Sequence, residues 1–186
     1  MENDLFHCLI QQTNVWEEPV FLTLLRQEDA HFLWEGTGDL QVVRLEPWGP
    51  YTETQTEEMV ARALNRQAAR QSVEWTIWDK TGPRGLIHLN HLNFFDRTAE
   101  IGYWLARTAW GQGYATAAVR AVCCFAQRAG FRQIEAICHP ENAPSHRVLE
   151  KNQFFPSGRR KDYICLEEKT WDGLLFCRNF FTVDFP

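Results

Sequence analysis

WLARTAWGQGYATAAVRAV, residues Trp104–Val122, is the stretch on which the fold turns. Its front reads as the end of a strand begun at Ala99, its back as a helix, and Gly111 and Gly113 stand between them. A strand that feeds a helix in this way leaves several backbone amides without intrahelical partners, and the positive end of the helix dipole points at the same spot. Gly111 and Gly113 remove side chains that would hold a ligand away from those amides, and Ala115 keeps the first turn low. The turn can therefore hold an anion such as a phosphate, or it can simply be a tight connection. Two nucleotide-binding fingerprints fail at their own spacing. A dinucleotide fold wants glycine where Thr116 stands, and a Walker loop wants a lysine that is not there.

Working outward, VFLTLLRQEDAHFLW from Val20 predicts a strand and then a helix. After the breaks at Pro47, Gly49 and Pro50, Thr54 with Glu57 three residues on predicts a capped helix whose apolar face is Met59, Val60, Ala63 and Leu64. VEWTIWD and GLIHLNHLNFF form a hairpin around Lys80–Pro83, and AEIGYWLA adds a third strand. The helix from Ala115 ends at Gly130, a residue suited to a left-handed cap. IEAICH, the short helix APSHRVLEKN and two apolar strands between Tyr163 and Phe185 complete the chain. This order predicts an α/β (α+β) layer, a central, mainly antiparallel mixed sheet of about seven strands flanked by helices. Only Ala99–Cys138 reads as a β-α-β unit. Residues 1–19 are an unassigned N-terminal extension, and 20–186 form a single domain.

Composition narrows the function. With 186 residues at 45% hydrophobic content, one domain with a substantial core is expected. Nineteen Lys and Arg against 24 Asp and Glu, with no basic run, argue against nucleic acid as a partner. Neither a signal segment nor an apolar run of membrane-spanning length is present, so a cytoplasmic protein with no membrane partner is expected. The cysteines at 8, 123, 124, 138, 165 and 177 sit in apolar contexts, two of them adjacent, and are expected to be free thiols. Cys138 and His139 have no companions at zinc-ligand spacing, so no metal is expected.

About thirty residues after the glycine turn comes ICHPENAPSHRVLEKNQFF, with Asn142, Ser145, Leu149 and then Glu150-Lys151. Together with Ala99–Leu105 and Trp110–Thr116 it resembles the GNAT superfamily of acyl-CoA-dependent N-acetyltransferases, within it the RimJ/RimL type. Three linked motifs in order carry the resemblance, and weaker similarity reaches back to Val20. It implies a GNAT-like fold and acetyl-CoA as cosubstrate. The amides of Gln112, Gly113, Tyr114, Ala115 and Thr116 would hold the pyrophosphate. The backbone edge at Trp104 and Leu105 would pair with the pantetheine amides. Trp110 stands where many members carry Gln or Arg. Arg107 either meets a phosphate or is a solvated loop residue. Asn142 either braces the coenzyme or only shapes the turn between Pro140 and Pro144.

Many members carry a tyrosine seven residues after that asparagine to protonate the departing thiolate; here the position is Leu149. Ser145, one turn earlier on the same face, is the substitute acid, a helix cap, or both. Glu100 is the expected base, acting directly or through water, or else a strand carboxylate paired with Arg97 or another cation. His88 and His91, on opposite faces of their strand, are reserves. Glu28, Trp34, Glu35, Trp48 and Tyr51 would border the amine pocket. The expected substrate is a protein N-terminal α-amine or a small primary amine. The alternative is a non-catalytic acyl-CoA-binding module that lost its acid, as Leu149 suggests. The apolar tail WDGLLFCRNFF, from Trp171, exceeds what one sheet edge needs and leaves a homodimer open.

Overall fold

The computed structural model describes residues 2–11, 14–166 and 169–180. Its strands are β1 (Asn14–Glu17), β2 (Val20–Leu24), β3 (Val73–Asp79), β4 (Gly82–Asn93), β5 (Thr98–Leu105), β6 (Gln133–Cys138), β7 (Phe155–Leu166) and β8 (Lys169–Asn179). They form one sheet in the order β1-β2-β3-β4-β5-β6-β8-β7. Every pairing is antiparallel except β5 with β6. That exception is the single β-α-β unit the sequence predicted. The strand beyond the expected seven is β1, drawn from the unassigned N-terminal stretch.

The helices are α1 (Glu2–Ile10), α2 (Ala30–Thr37), α3 (Leu40–Val43), α4 (Glu53–Ala68), α5 (Tyr114–Arg128) and α6 (Ala143–Lys151). Helix α5 buries Ala117, Ala118, Ala121, Val122 and Phe125, a stripe at helical spacing, against one face of the sheet. Trp75, Ile87, Leu89, Ile101 and Ile134 supply that face. The N-terminal stretch joins the same core through Phe6 and Leu9 of α1. Helices α2 and α4 cover the opposite face in a smaller cluster containing Leu33, Val60, Leu86 and Trp104.

Two local expectations shift. The capping box of α4 is Thr52 with Gln55, two residues ahead of the predicted pair. Thr52 Oγ1 accepts from the Gln55 amide at 3.2 Å, and Gln55 Oε1 accepts from the Thr52 amide at 2.9 Å. Thr52 is extended (ψ 167°), the backbone an N-cap requires. The final strand pair starts at Phe155 rather than Tyr163, and its predicted end at Phe185 lies outside the described residues. Strand β8 runs between β6 and β7, so the apolar tail is an inner strand with neighbours on both sides, which accounts for its composition. Gly130 caps α5 as predicted, with φ 91°.

The β3–β4 hairpin turns through Asp79, whose Oδ1 accepts from the amides of Thr81 (2.7 Å) and Gly82 (3.0 Å). Asp79 Oδ2 accepts from Arg84 Nε at 2.8 Å and from the Tyr114 hydroxyl at 3.0 Å, so the hairpin is tied to the first residue of α5. Arg84 foremost, then Thr81 and Tyr114, hold the Asp79 carboxyl far below the usual carboxylate range. A depressed carboxylate contributes stability that is complete above its unfolded value of about 3.9 and is lost as the pH falls below it. Asp79→Asn is expected to lower the melting temperature by roughly 2–4 °C at neutral pH, the equivalent of about 1 kcal/mol in a chain of this size. The difference from the parent should shrink in scans repeated below about pH 4.

Candidate active site

Strands β5 and β6 pair only over Thr98–Glu100 against Gln133–Glu135. Beyond that point they part, and among the described residues the β6-facing edge of β5 from Ile101 to Leu105 has no strand beside it. The gap opens into an outer cleft of about 510 Å³ that runs to the front of α5. There Gly113 is the N-cap in a left-handed conformation (φ 81°) and offers no capping side chain. The first-turn amides therefore face the cleft with no intrahelical acceptor.

Of the residues expected to hold coenzyme, Trp104, Leu105, Gly113, Tyr114, Ala115, Thr116, Asn142 and Ser145 line this cleft. Two do not. Arg107 points away, with Nε 3.2 Å from Asp39, and joins the end of β5 to the cap of α3. The Gln112 side chain donates to the Thr108 carbonyl at 2.9 Å. The strand edge is also less free than expected, because Trp110 Nε1 donates to the Leu105 carbonyl at 2.9 Å. Three cations given no role by the sequence border the cleft: Arg44, Arg147 and Lys151, the last residue of the third motif. The last two are four residues apart on α6, a spacing that puts them on one face.

Asn142 caps α6, its Oδ1 accepting from the Ser145 amide at 3.2 Å. Ser145 is thereby released from capping. Its Oγ lies 2.9 Å from the Tyr103 hydroxyl, which also donates to the Ser145 carbonyl at 3.3 Å. Burial holds Tyr103 well above its ordinary range, so it remains a neutral donor at physiological pH. When the Tyr103 proton is given to the Ser145 hydroxyl rather than to its carbonyl, the serine proton is free to donate into the cleft.

Behind Ser145 lies a second, inner chamber of about 80 Å³. Glu100, the expected base, lines neither cavity. Its Oε1 accepts from the Tyr163 hydroxyl at 3.2 Å, and Oε2 lies 3.7 Å from Arg160 rather than from Arg97. Tyr163 does line the inner chamber, and its hydroxyl is raised by burial first and by Glu100 second. His88 is packed over Gly102 and its pKa is lowered by burial; His91 is exposed, and neither lines either of these two cavities. The five residues expected around the amine pocket are absent from both walls. Trp48 instead packs on Trp104 at 6.0 Å, and the loop residues Leu45, Glu46 and Pro47 stand at the chamber. Burial pushes the Glu46 carboxyl up to about 7 and the Cys138 thiol up to about 12.

The fold has counterparts among known proteins. Residues 20–154 match the acetyltransferase (GNAT) domain family. A Bacillus licheniformis protein, the uncharacterized N-acetyltransferase p20, is 30% identical over 168 residues, 87% of this chain and 93% of that one. The ribosomal-protein-serine acetyltransferase of Escherichia coli is 33% identical over 95 residues, about half of either chain (50% and 53%). Among solved structures, Mycobacterium smegmatis RimJ in complex with CoA-disulfide superposes with TM-score 0.77 at 27% identity, covering 86% of this chain and 81% of that one. RimL, a ribosomal L7/L12 α-N-protein acetyltransferase in complex with coenzyme A, superposes with TM-score 0.81 at 19% identity, over 89% and 97%. The chain belongs to the GNAT acetyltransferase family. It is an acyltransferase, moving an acetyl group to an amine. Among the described residues no helix is long and apolar enough to cross a membrane, and no cluster of potential metal ligands occurs.

Proposed function

We propose that the amine is the free N-terminus of a protein, that the outer cleft holds acetyl-CoA, and that Ser145 protonates the departing thiolate. The observation that carries this reading is the meeting of the two cavities at Tyr103, Asn142 and Ser145. One cavity is long and bordered by cations and free amides, as a diphosphate with a pantetheine arm requires. The other is small enough to admit only the tip of a chain and its first side chain. The names of the E. coli relative and of RimL point to protein amines of this kind. A cytoplasmic setting agrees with the free state of Cys8, Cys123, Cys124, Cys138 and Cys177.

In this reading the amine lone pair attacks the thioester carbonyl carbon, the carbon–sulfur bond breaks, and Ser145 gives its proton to sulfur while Tyr103 donates to Ser145. Glu100 acts through Tyr163, fixing the direction of that hydroxyl on the chamber wall. Free thiol release from acetyl-CoA, measured with short peptides and small primary amines, tests the assignment. Ser145→Ala is expected to lower kcat about 10–100-fold, the low end for acid catalysis because a thiol of pKa near 8.5 leaves readily. Coenzyme affinity should stay within a few-fold of the parent. Tight coenzyme binding without turnover on any amine would contradict the reading.

A further inference from the structure

The two cavities share five residues: Leu45, Glu46, Tyr103, Asn142 and Ser145. The thioester carbonyl must lie at this junction if the coenzyme occupies the outer cleft and the amine the inner chamber. Glu46 is the only carboxylate among the described residues that lines the inner chamber. It comes from the loop between α3 and α4, across the gap from Ser145. Among the described residues its carboxylate has no hydrogen-bond or ion-pair partner, and burial alone accounts for its perturbed titration. An unpartnered carboxyl group in a partly apolar cavity is unfavourable for folding and is found where chemistry uses it.

We infer that Glu46 is the catalytic base of this transferase, taking the proton of the substrate ammonium directly at its carboxylate oxygen. The inference rests on the acetyl-transfer reading above and deepens it. The N–H bond breaks towards Glu46, and the freed lone pair forms the new bond to the carbonyl carbon. Collapse of the tetrahedral adduct breaks the carbon–sulfur bond, and the sulfur takes the Ser145 proton. The second nitrogen proton restores Ser145 through Tyr103, and Glu46 releases its own to solvent as the cleft opens. One ammonium and one thioester thus give one amide, one thiol and one proton.

The other groups facing Glu46 are poorer acceptors. On β5, Tyr103 is held protonated by burial. On β6, Cys138 is a buried thiol. His139 accepts from the Glu141 amide at Nδ1, which closes that nitrogen to a substrate proton, and burial lowers its pKa. Tyr163 on β7 is itself raised and bound to Glu100. Arg44, Glu141 and Arg147 face the outer cleft, where the arginines meet coenzyme charge rather than the amine. A Glu46 carboxyl near 7 is half ionised at neutral pH, which suits an acceptor of an α-amine proton near 8.

The test measures kcat for thiol release from saturating acetyl-CoA with a short peptide bearing a free N-terminal serine, and with benzylamine, from acid to mildly alkaline pH. The parent is expected to lose rate as the pH falls through about 7. Glu46→Gln should lower kcat by about 10²–10⁴-fold and replace that limb with one set by the amine's own ionisation, near ~8 for the peptide. Glu46→Asp should keep the limb and recover part of the rate, and coenzyme A should bind both variants within a few-fold of the parent. Glu100→Gln should keep the limb and lose less than about tenfold, as a positioning residue. A Glu46→Gln enzyme with the parent's limb and rate overturns the inference, as does a limb abolished by Glu100→Gln alone; in either case transfer itself stands. A parent that binds coenzyme but acetylates neither probe overturns the transfer reading, and Glu46 with it.

Discussion

Gly113→Val is expected to weaken coenzyme A binding by about 10²–10⁴-fold while lowering the melting temperature by only about 2–8 °C. The two effects have separate causes. Gly113 sits at φ 81°, a conformation that costs an L-residue about 1–2 kcal/mol, and each kcal/mol is worth about 2–4 °C in a chain of this length. A Cβ built there meets no atom of the protein within 4 Å, so no packing is disturbed. That open space is where the diphosphate must come if the amides of Gly113 to Thr116 are to hold it. A valine side chain holds the anion away from them. Each hydrogen bond to a charged group contributes about 1.5–3 kcal/mol, so losing two removes about 3–6 kcal/mol. At about 1.4 kcal/mol per decade this gives the stated range. Titration calorimetry with coenzyme A beside a thermal scan checks both halves. An affinity within threefold of the parent would show that the diphosphate does not use this turn.

The turn was legible in the sequence because its signal is local. A strand, two glycines and a helix within nineteen residues need no tertiary information to suggest free amides at a helix front. The cap of α6 was less so: Ser145 was the expected cap, whereas the cap is Asn142, whose Oδ1 accepts from the Ser145 amide. What escaped was long-range. The hydroxyl pair joins Tyr103 to Ser145 across 42 positions, and Glu100 finds its partners on β7, 60 residues away. Period two on β5 separates Tyr103 from Glu100 onto opposite faces, yet it does not say which face meets the cleft. Glu46 lay in a stretch broken by Pro47, Gly49 and Pro50, where no periodicity distinguishes a cavity wall from solvent. Its one sequence signal was a lone acid between Leu45 and Pro47. Trp34 and Glu35 on α2, expected beside the amine, line neither cavity.

Gly85→Ala is expected to be the most damaging single change in the sheet, lowering the melting temperature by about 6–12 °C and coenzyme affinity by at least tenfold. Gly85 pairs with Leu105 on the neighbouring strand. A Cβ there would stand 2.1 Å from the Trp104 carbonyl oxygen and 2.9 Å from the Leu105 Cα, both backbone atoms. Side chains can rotate away from an intruder, but a strand held by its ladder cannot, so β4 and β5 must separate locally. Overpacking costs about 1–3 kcal/mol where neighbours can give, and a backbone clash belongs at the top of that range or above it. The strand displaced is the one whose far edge faces the coenzyme, so stability and binding should fall together. Gly36→Ala makes a similarly close approach to the same residue from the other side, 2.1 Å from the Trp104 ring. Only an indole has to move in that case, and the backbone edge stays in place. Its melting temperature should drop by about 2–12 °C while coenzyme affinity stays within a few-fold. If the two variants lost affinity equally, the Trp104 side chain rather than the strand edge would be the part of β5 that the coenzyme needs.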